Sequence, residues 1–152
     1  VGPDHPYHAG TLSSLASAEH AAGKLDAAEA HYRASIDLHR ELLGPQHHRL
    51  AGPLTGLGEL LVARGAYAEA EPLLAEALEI RRAALPADHP KVAETALELG
   101  RCRVALGRPD DAEPLLREAH ATFEAALGAD ATETQRSREA LRTLHAGRDL
   151  QP

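Results

Sequence analysis

Histidine is the residue type with the most obvious capacity for chemistry in this sequence. The chain has ten histidines among its 152 residues, and His5, His47 and His89 recur at a fixed step of 42 residues. A metal ion needs several ligands within a few ångströms, whereas residues one repeat apart in sequence lie one repeat apart in space. No His-Glu-X-X-His motif occurs, and His5 and His8 have no third ligand nearby. We therefore expect each repeated histidine to stabilise its own turn, and we predict no metal site.

Two further features could support nucleophilic catalysis. Cys102 is the only cysteine, and the equivalent positions of the other repeats hold Ala or Leu, which favours a small buried residue with an unreactive thiol. Ser13 and Ser14 precede His20 by six or seven residues, almost two helical turns, and no carboxylate is placed to orient the imidazole. We predict a protein that is not an enzyme and binds no cofactor.

Composition limits the elements that can position these residues. Hydrophobic residues make up 43% of the chain but aromatic residues only 3%, so the interior must be built from Leu and Ala, which favour helices. A net charge of -7 argues against nucleic acid or an anionic membrane as partner. No apolar run approaches the roughly 20 residues that span a bilayer. The excess of Ala, Leu and Arg suggests a bacterial source, and we expect a cytoplasmic location.

A repeat of 42 residues organises the whole chain. The segment GPDHP at residue 2 returns as GPQHH at residue 44 and as PADHP at residue 86. We assign three repeats, 2–43, 44–85 and 86–127, and a last half repeat. The positions in register include leucines, glycines and alanines: Leu15, Leu57, Leu99 and Leu141; Gly23, Gly65 and Gly107; Ala28, Ala70 and Ala112.

Each repeat is predicted to form two helices. The first helices are expected at residues 6–22, 48–64, 90–106 and 132–146, and the second at 26–43, 68–85 and 110–127. Asp4, Asp88 and Asp130 precede first helices and are the predicted N-caps. The glycines at 23, 65 and 107 are predicted to end first helices in the left-handed conformation.

Three prolines refine this prediction. Pro72 and Pro114 are placed at the end of the first turn of a second helix, because a deeper position would kink it. Pro53 falls inside the expected first helix of the second repeat, which also contains Gly52, Gly56 and Gly58. That helix is therefore expected to start late or to bend.

At these positions the sequence resembles tetratricopeptide repeats of the long variety found in kinesin light chains and in many bacterial proteins. The resemblance rests on small and large residues at fixed places, which in repeat two are Leu57-Gly58, Gly65, Ala70, Leu74 and Ala77. It implies an all-α solenoid of about seven helices, in which antiparallel helix pairs form a right-handed superhelix. The expected array is single, spans residues 1–152 and ends in a capping helix at about 131–148, with Leu141 and Leu144 packed inward.

The resemblance also implies a concave groove lined by first helices. Arg101 and Arg136 could hold a ligand carboxylate there by bidentate hydrogen bonds. The alternative is a solvated face with internal ion pairs, such as Glu98 with Arg101 at i,i+3. The groove residues that we single out are Ser14, Ser17, Thr55, Glu59, Glu94, Glu98, Arg101 and Arg136; neighbours on the same face include Gly10, Ser13, Gly52 and Glu139.

The sequence departs from its relatives on this face. Kinesin-light-chain-like repeats typically carry Asn pairs there, and chaperone-binding repeats use a clamp of Lys and Asn for a terminal carboxylate. This chain has no Asn, and its only lysines, Lys24 and Lys91, are not expected on that face. Cargo-adaptor and chaperone-cofactor functions are therefore not transferred. We predict a non-catalytic module that binds a protein or peptide in the groove, as the C-terminal part of a larger bacterial protein. The alternative is self-assembly, by end-to-end association through an uncapped N-terminal end.

Overall fold

A computed structural model describes residues 5–149 of the chain, except the side chains of Pro6 and Asp149. These residues form α-helices and one 3-10 turn, with no strand among them, which confirms the predicted all-α class. Most helix ends lie within one to three residues of their expected positions. The helices are α1 (Pro6–Ala21), α2 (Leu25–Leu43), α3 (Ala51–Ala63), α4 (Tyr67–Ala84), α5 (Pro90–Ala105), α6 (Pro109–Leu127) and α7 (Thr132–Asp149).

The chain divides into two compact units, residues 1–84 and 85–152. In the first unit, α1 packs against α2 and α3 against α4, while α2 also packs on α3. In the second unit, α5 and α6 form the corresponding pair, and α7 packs on both of them. Each unit thus contains helix hairpins, because the two helices of a pair are joined by turns of only three residues.

The hairpin turns depend on glycine as predicted. Gly23, Gly65 and Gly107 have φ angles of 75°, 75° and 74°, in the left-handed region that residues with a Cβ rarely adopt. The chain can therefore reverse direction immediately after the first helix of each pair.

The caps of the first helices differ from the prediction. The N-cap residue of α5 is His89 rather than Asp88, and its Nδ1 accepts a hydrogen bond of 3.1 Å from the backbone N–H of Lys91. His5 caps α1 in the same way; Asp4 lies outside the described residues. His47 caps the 3-10 turn before α3. The recurring histidines therefore stabilise their turns as capping acceptors, because imidazole Nδ1 reaches the N–H group two residues ahead.

Pro53, Pro72 and Pro114 lie within α3, α4 and α6. α3 begins late, at Ala51, after a 3-10 turn over His48–Leu50, as the position of Pro53 predicted. Pro72 and Pro114 lie deeper than expected, as the sixth residues of α4 and α6. Both prolines are exposed, so water can bond the carbonyl groups that have lost an N–H partner.

Small residues allow the paired helices to approach closely. A Cβ added to Gly58 would lie 2.5 Å from the Leu74 side chain, and one added to Gly100 would lie 2.6 Å from Leu116. Leu57 and Leu99 are buried beside these contacts, whereas their equivalent Leu15 is 44% exposed. In the last helix Leu144 is buried.

Leu141, the other leucine expected to pack inward in α7, is only partly buried. The polar residues Thr132, Glu133, Arg136, Glu139 and Arg142 of α7 are exposed, and Arg138 is partly buried.

Candidate binding clefts

The predicted groove residues of the first unit divide between surface and interior. Ser14 and Ser17 are exposed and Glu59 is partly buried. Ser17 hydrogen-bonds the Tyr32 hydroxyl, whose pKa is raised chiefly by burial. Thr55, in contrast, is buried and donates its hydroxyl hydrogen to the Ala51 carbonyl at 2.8 Å. The Thr55 side chain is therefore buried in the core and cannot contact a partner in the groove.

Four predicted residues of the second unit lie close together, and two of them border an open cleft. Arg101 and Arg136 are exposed, Glu94 is partly buried and Glu98 is almost completely buried, with 2% exposure. The cleft has a volume of about 400 Å³ between α5 and α7, and we call it the α5–α7 cleft. It is lined by Arg101, Val104, Ala105, Arg136, Glu139, Ala140 and Thr143.

Glu98 holds both arginines. Arg101 Nη1 lies 3.1 Å and 3.0 Å from the two carboxylate oxygens, and Arg136 Nη2 lies 2.6 Å from Oε1. The internal pair between Glu98 and Arg101, left open by the sequence, is thus present and extends to a second arginine. The carboxylate bound by these arginines is the chain's own.

The cluster nevertheless keeps binding capacity. The side chains of Glu98, Arg101 and Arg136 together carry a net charge of +1, and the further carboxylate that lines the cleft, Glu139, pairs with Arg142 at 3.7 Å. Each guanidinium carries five N–H donors, and the bonds to Glu98 use only one terminal nitrogen of each. Because the buried carboxylate holds both groups in place, a second anion would bind with little loss of side-chain freedom.

A second cleft lies between α1 and α3 in the first unit. Its volume is about 540 Å³, and we call it the α1–α3 cleft. It includes Ser14 and the neighbouring face residues Gly10, Ser13 and Gly52, as the sequence predicted, but also residues that the sequence analysis missed. Those residues are Tyr7, Thr11, His39, Arg49 and Pro53.

His39 forms part of this cleft although it is 2% exposed. Ser35 donates its hydroxyl hydrogen to the Ala9 carbonyl at 2.7 Å. His39 Nδ1 lies 3.0 Å from the Ser35 carbonyl oxygen and 3.3 Å from its hydroxyl oxygen, so Nδ1 must carry the proton. Burial, followed by the charges of Arg49 and His47, lowers the pKa of His39. The ring is therefore neutral near pH 7, and Nε2 is an acceptor.

Nothing in the described part of the chain bonds to this acceptor: the buried His39 Nε2 has no hydrogen-bond partner. A sequence signal existed for the position, because the equivalent residues of the other repeats are Arg81 and Phe123. A change of chemical type at a buried position in register marks a place where one repeat has a special requirement.

A third, smaller cleft of about 200 Å³ surrounds Phe123 in the second unit, and we call it the Phe123 cleft. The predicted residues Glu94, Glu98 and Arg136 reach it, together with Leu97. Arg136 thus borders both clefts of this unit.

The described residues hold neither a candidate metal site nor a candidate membrane span. Within residues 5–149, no group of three His, Cys, Asp or Glu side chains is placed to hold a metal ion. No described helix combines the length and the apolar character needed to cross a membrane.

Helix hairpins that repeat every 42 residues and pack through small residues define an α-helical repeat protein with clefts beside its first helices. The chain belongs to the tetratricopeptide repeat family, whose model matches residues 7–83 and 50–125. Tetratricopeptide repeats form protein-interaction modules. No significant match was found among curated proteins.

Solved structures share the fold. One is a Podosopora anserina putative kinesin light chain with nearly identical TPR-like repeats (TM-score 0.78, 23% identity, 99% of this chain and 71% of that one). BtubC (BKLC) from P. vanneervenii has a TM-score of 0.72 and 25% identity over 90% of this chain and 54% of that one. PcrH from Pseudomonas aeruginosa has a TM-score of 0.64 and 23% identity, covering 91% and 92%.

Proposed function

We propose that this chain is a non-catalytic interaction module that binds a protein segment carrying carboxylate groups. The observation that carries the proposal is the arginine pair of the α5–α7 cleft. Arg101 and Arg136 are fixed by one buried carboxylate, so a locally positive, preorganised site stands on a chain whose net charge is -7. Bidentate Arg–carboxylate pairing is a strong and geometrically specific contact.

The rest of the α5–α7 cleft suits a peptide. Val104, Ala105 and Ala140 give it an apolar wall, and Thr143 and Glu139 add polar groups at the edge. A volume of about 400 Å³ accommodates a few side chains rather than a folded domain. We therefore expect an extended segment in which an apolar side chain lies close to an Asp or Glu.

A non-catalytic role agrees with the surroundings of the candidate nucleophiles. Cys102 is completely buried, so its thiol cannot meet a substrate. Ser14 donates its hydroxyl hydrogen to the Gly10 carbonyl at 3.1 Å. The His20 ring packs edge-on against Tyr32, with 6.5 Å between ring centroids. The contact of His20 with Tyr32 gives no sign that this imidazole activates either serine.

Peptide selection tests the proposal. Short random peptides with both termini capped are selected on the full chain, and the binders are measured by fluorescence polarisation. We expect Asp and Glu to be enriched among peptides whose Kd rises about tenfold in the double variant Arg101→Gln and Arg136→Gln, a loss of ~1.4 kcal/mol. The matched control is Arg117→Gln, an exposed arginine of the same unit that does not line the cleft. Selected peptides without acidic residues, or an unaffected double variant, would contradict the proposal.

Self-association is a second candidate, favoured by the exposed apolar side chains of α1. Tyr7 is 68% exposed, and Leu15 is 44% exposed although its equivalents Leu57 and Leu99 are buried. Sedimentation over a range of concentrations tests this candidate, with Leu15→Glu as the disrupting variant and Leu127→Glu as a control at an exposed leucine elsewhere. A monomer at every concentration would exclude this function.

A further inference from the structure

The α1–α3 cleft and the Phe123 cleft occupy the same place in the repeat, two repeats apart. Seven of the nine residues that line each cleft are equivalent in the repeat, and their chemical types differ at each of these seven positions. The equivalent pairs are Tyr7 and Lys91, Gly10 and Glu94, Ser13 and Leu97, Ser14 and Glu98, His39 and Phe123, Arg49 and Glu133, and Gly52 and Arg136.

The Phe123 cleft is largely filled by its own side chains. Its volume is about 200 Å³ against about 540 Å³ for the α1–α3 cleft. Phe123 forms an apolar floor, and the charged side chains of Glu98 and Arg136 are paired with each other at 2.6 Å. The charges of Glu98 and Arg136 in the Phe123 cleft therefore need no ligand to pair with.

The α1–α3 cleft is open, and two of its polar groups, the His39 imidazole Nε2 and the Arg49 guanidinium, have no polar partner among the described residues. His39 Nε2 is a buried acceptor without a donor. The Arg49 guanidinium lies 5.8 Å above the centre of the Tyr7 ring, and no carboxylate of the described residues pairs with it. A buried acceptor without a donor lowers stability, whereas a phenylalanine fits the same position in another repeat. Such an arrangement is characteristic of a site that a ligand completes.

We propose that the α1–α3 cleft is a second binding site, specific for an acidic peptide segment. A main-chain N–H of the peptide donates to His39 Nε2, and an Asp or Glu side chain pairs with Arg49. This site is separate from the α5–α7 cleft, and the inference stands whether or not that cleft binds a partner.

The hydroxyl groups of the cleft support a ligand that is rich in donors. Thr11 donates its hydroxyl hydrogen to the Tyr7 carbonyl at 2.9 Å, and Ser14 donates to the Gly10 carbonyl at 3.1 Å. Their oxygens, like His39 Nε2, therefore have acceptor capacity. Three acceptors beside one cation complement the N–H groups and carboxylate of an acidic peptide.

The cleft also lets a main chain come close. A Cβ added to Gly10 or Gly52 would meet nothing within 4 Å, so these positions leave open space beside the helices. His39 Nε2 is covered in the unliganded cleft. Binding to this atom therefore requires a side-chain rearrangement that exposes Nε2.

The test isolates this cleft from the other one. The full chain carrying Arg101→Gln and Arg136→Gln serves as bait for selection from short capped random peptides, and the selected peptides are measured by fluorescence polarisation. We expect this selection to yield acidic peptides. Their Kd should rise about tenfold in the variant Arg49→Gln and, separately, about tenfold in the variant His39→Phe. Restoring Arg101 and Arg136 should leave their affinity unchanged. The ¹⁵N chemical shift of His39 Nε2 should move upfield on binding, because the bare acceptor gains a donor.

His39→Phe is informative because the repeat itself accepts Phe here. We expect this variant to melt at the same or a higher temperature than wild type, so a loss of binding cannot be attributed to unfolding. Replacing the acidic residues of the peptide by Asn or Gln should abolish binding, and a free C-terminus should not replace them. Failure to select acidic peptides would overturn the proposal, as would wild-type affinity in His39→Phe or Arg49→Gln, or a requirement for a terminal carboxylate alone.

Discussion

Arg136 of α7 and Glu98 of α5 are joined by a hydrogen bond of 2.6 Å between Nη2 and Oε1. The same carboxylate holds Arg101 of α5. One buried acid thus fastens the last helix to its neighbour and orients two guanidinium groups beside a cleft. Glu98 therefore has both a structural role and a binding role, and variants of the cluster can distinguish the two.

Glu98→Gln should lower the free energy of unfolding by ~1–2 kcal/mol, because it removes charge-assisted hydrogen bonds from a buried group. Arg101→Gln should cost less than ~1 kcal/mol, since this side chain is 43% exposed and water replaces the lost contact. Urea denaturation of both variants measures the difference. A larger loss in Arg101→Gln would show that the ion pair, rather than the buried carboxylate, holds the helices.

Gly58→Ala should destabilise the first unit by ~1–3 kcal/mol. The new Cβ would lie 2.5 Å from the side chain of Leu74, which is completely buried and cannot move aside freely. Gly52→Ala is the matched control in the same helix, because its Cβ meets nothing within 4 Å. The control should gain up to about 1 kcal/mol from better helix propensity. Equal thermal melts would contradict the close approach of α3 and α4.

The register of repeated residues was sufficient to predict the helices and the glycine turns between them. That information is local and periodic, so each repeat confirms the next. Pairing on the exposed face is not periodic. Glu98 is buried because Arg101 and Arg136 neutralise it, and its equivalents Ser14 and Gly56 have no such need.

The sequence analysis missed two roles of histidine for a related reason. His89 and Asp88 are both capping candidates by type, and only the backbone geometry decides that imidazole Nδ1 reaches the N–H group of Lys91. For His39, burial and the orientation set by Ser35 define an acceptor in a cleft, and neither can be derived from spacing alone.

Leu57→Ala should cost ~2–5 kcal/mol, as expected for truncation of a leucine with 1% exposure. Leu15 occupies the same position in the first repeat but is 44% exposed, so Leu15→Ala should change stability by about 0.5 kcal/mol or less. Chemical denaturation of the two variants gives the comparison. Similar losses would show that Leu15 is covered in solution, which would support self-association through α1.

Arg148→Gln should raise the pKa of Glu113. Hydrogen bonds from Arg148 and then Arg117 lower this pKa, and Arg148 also binds Asp110 at 2.5 Å. The same arrangement joins Arg64 to Asp26 and Glu29 in the first unit. A carboxylate with a lowered pKa contributes stability above its unfolded pKa, and this contribution is lost as the pH falls through the folded value.

Carbon-detected NMR titration of the Glu113 carboxyl checks this prediction. Arg117→Gln serves as the weaker comparison, since its effect ranks second. If the pKa of Glu113 moves more in Arg117→Gln than in Arg148→Gln, the contact between Arg148 of α7 and Glu113 of α6 is not formed in solution.

The stability of the first unit should fall as the pH decreases below about 6.5 because of His39. Burial and the nearby charges of Arg49 and His47 lower the folded pKa of this residue, so the unfolded chain binds the proton first. Stability is therefore full above the unfolded pKa and is lost as the pH falls toward the folded value. His39→Phe should remove this part of the pH dependence in urea denaturation between about pH 7.5 and 5, whereas His8→Gln, at an exposed histidine of α1, should retain it. A slope that persists in His39→Phe would mean that the pKa of His39 is not lowered by folding and that another group, such as His47, whose pKa is also lowered, causes the pH dependence.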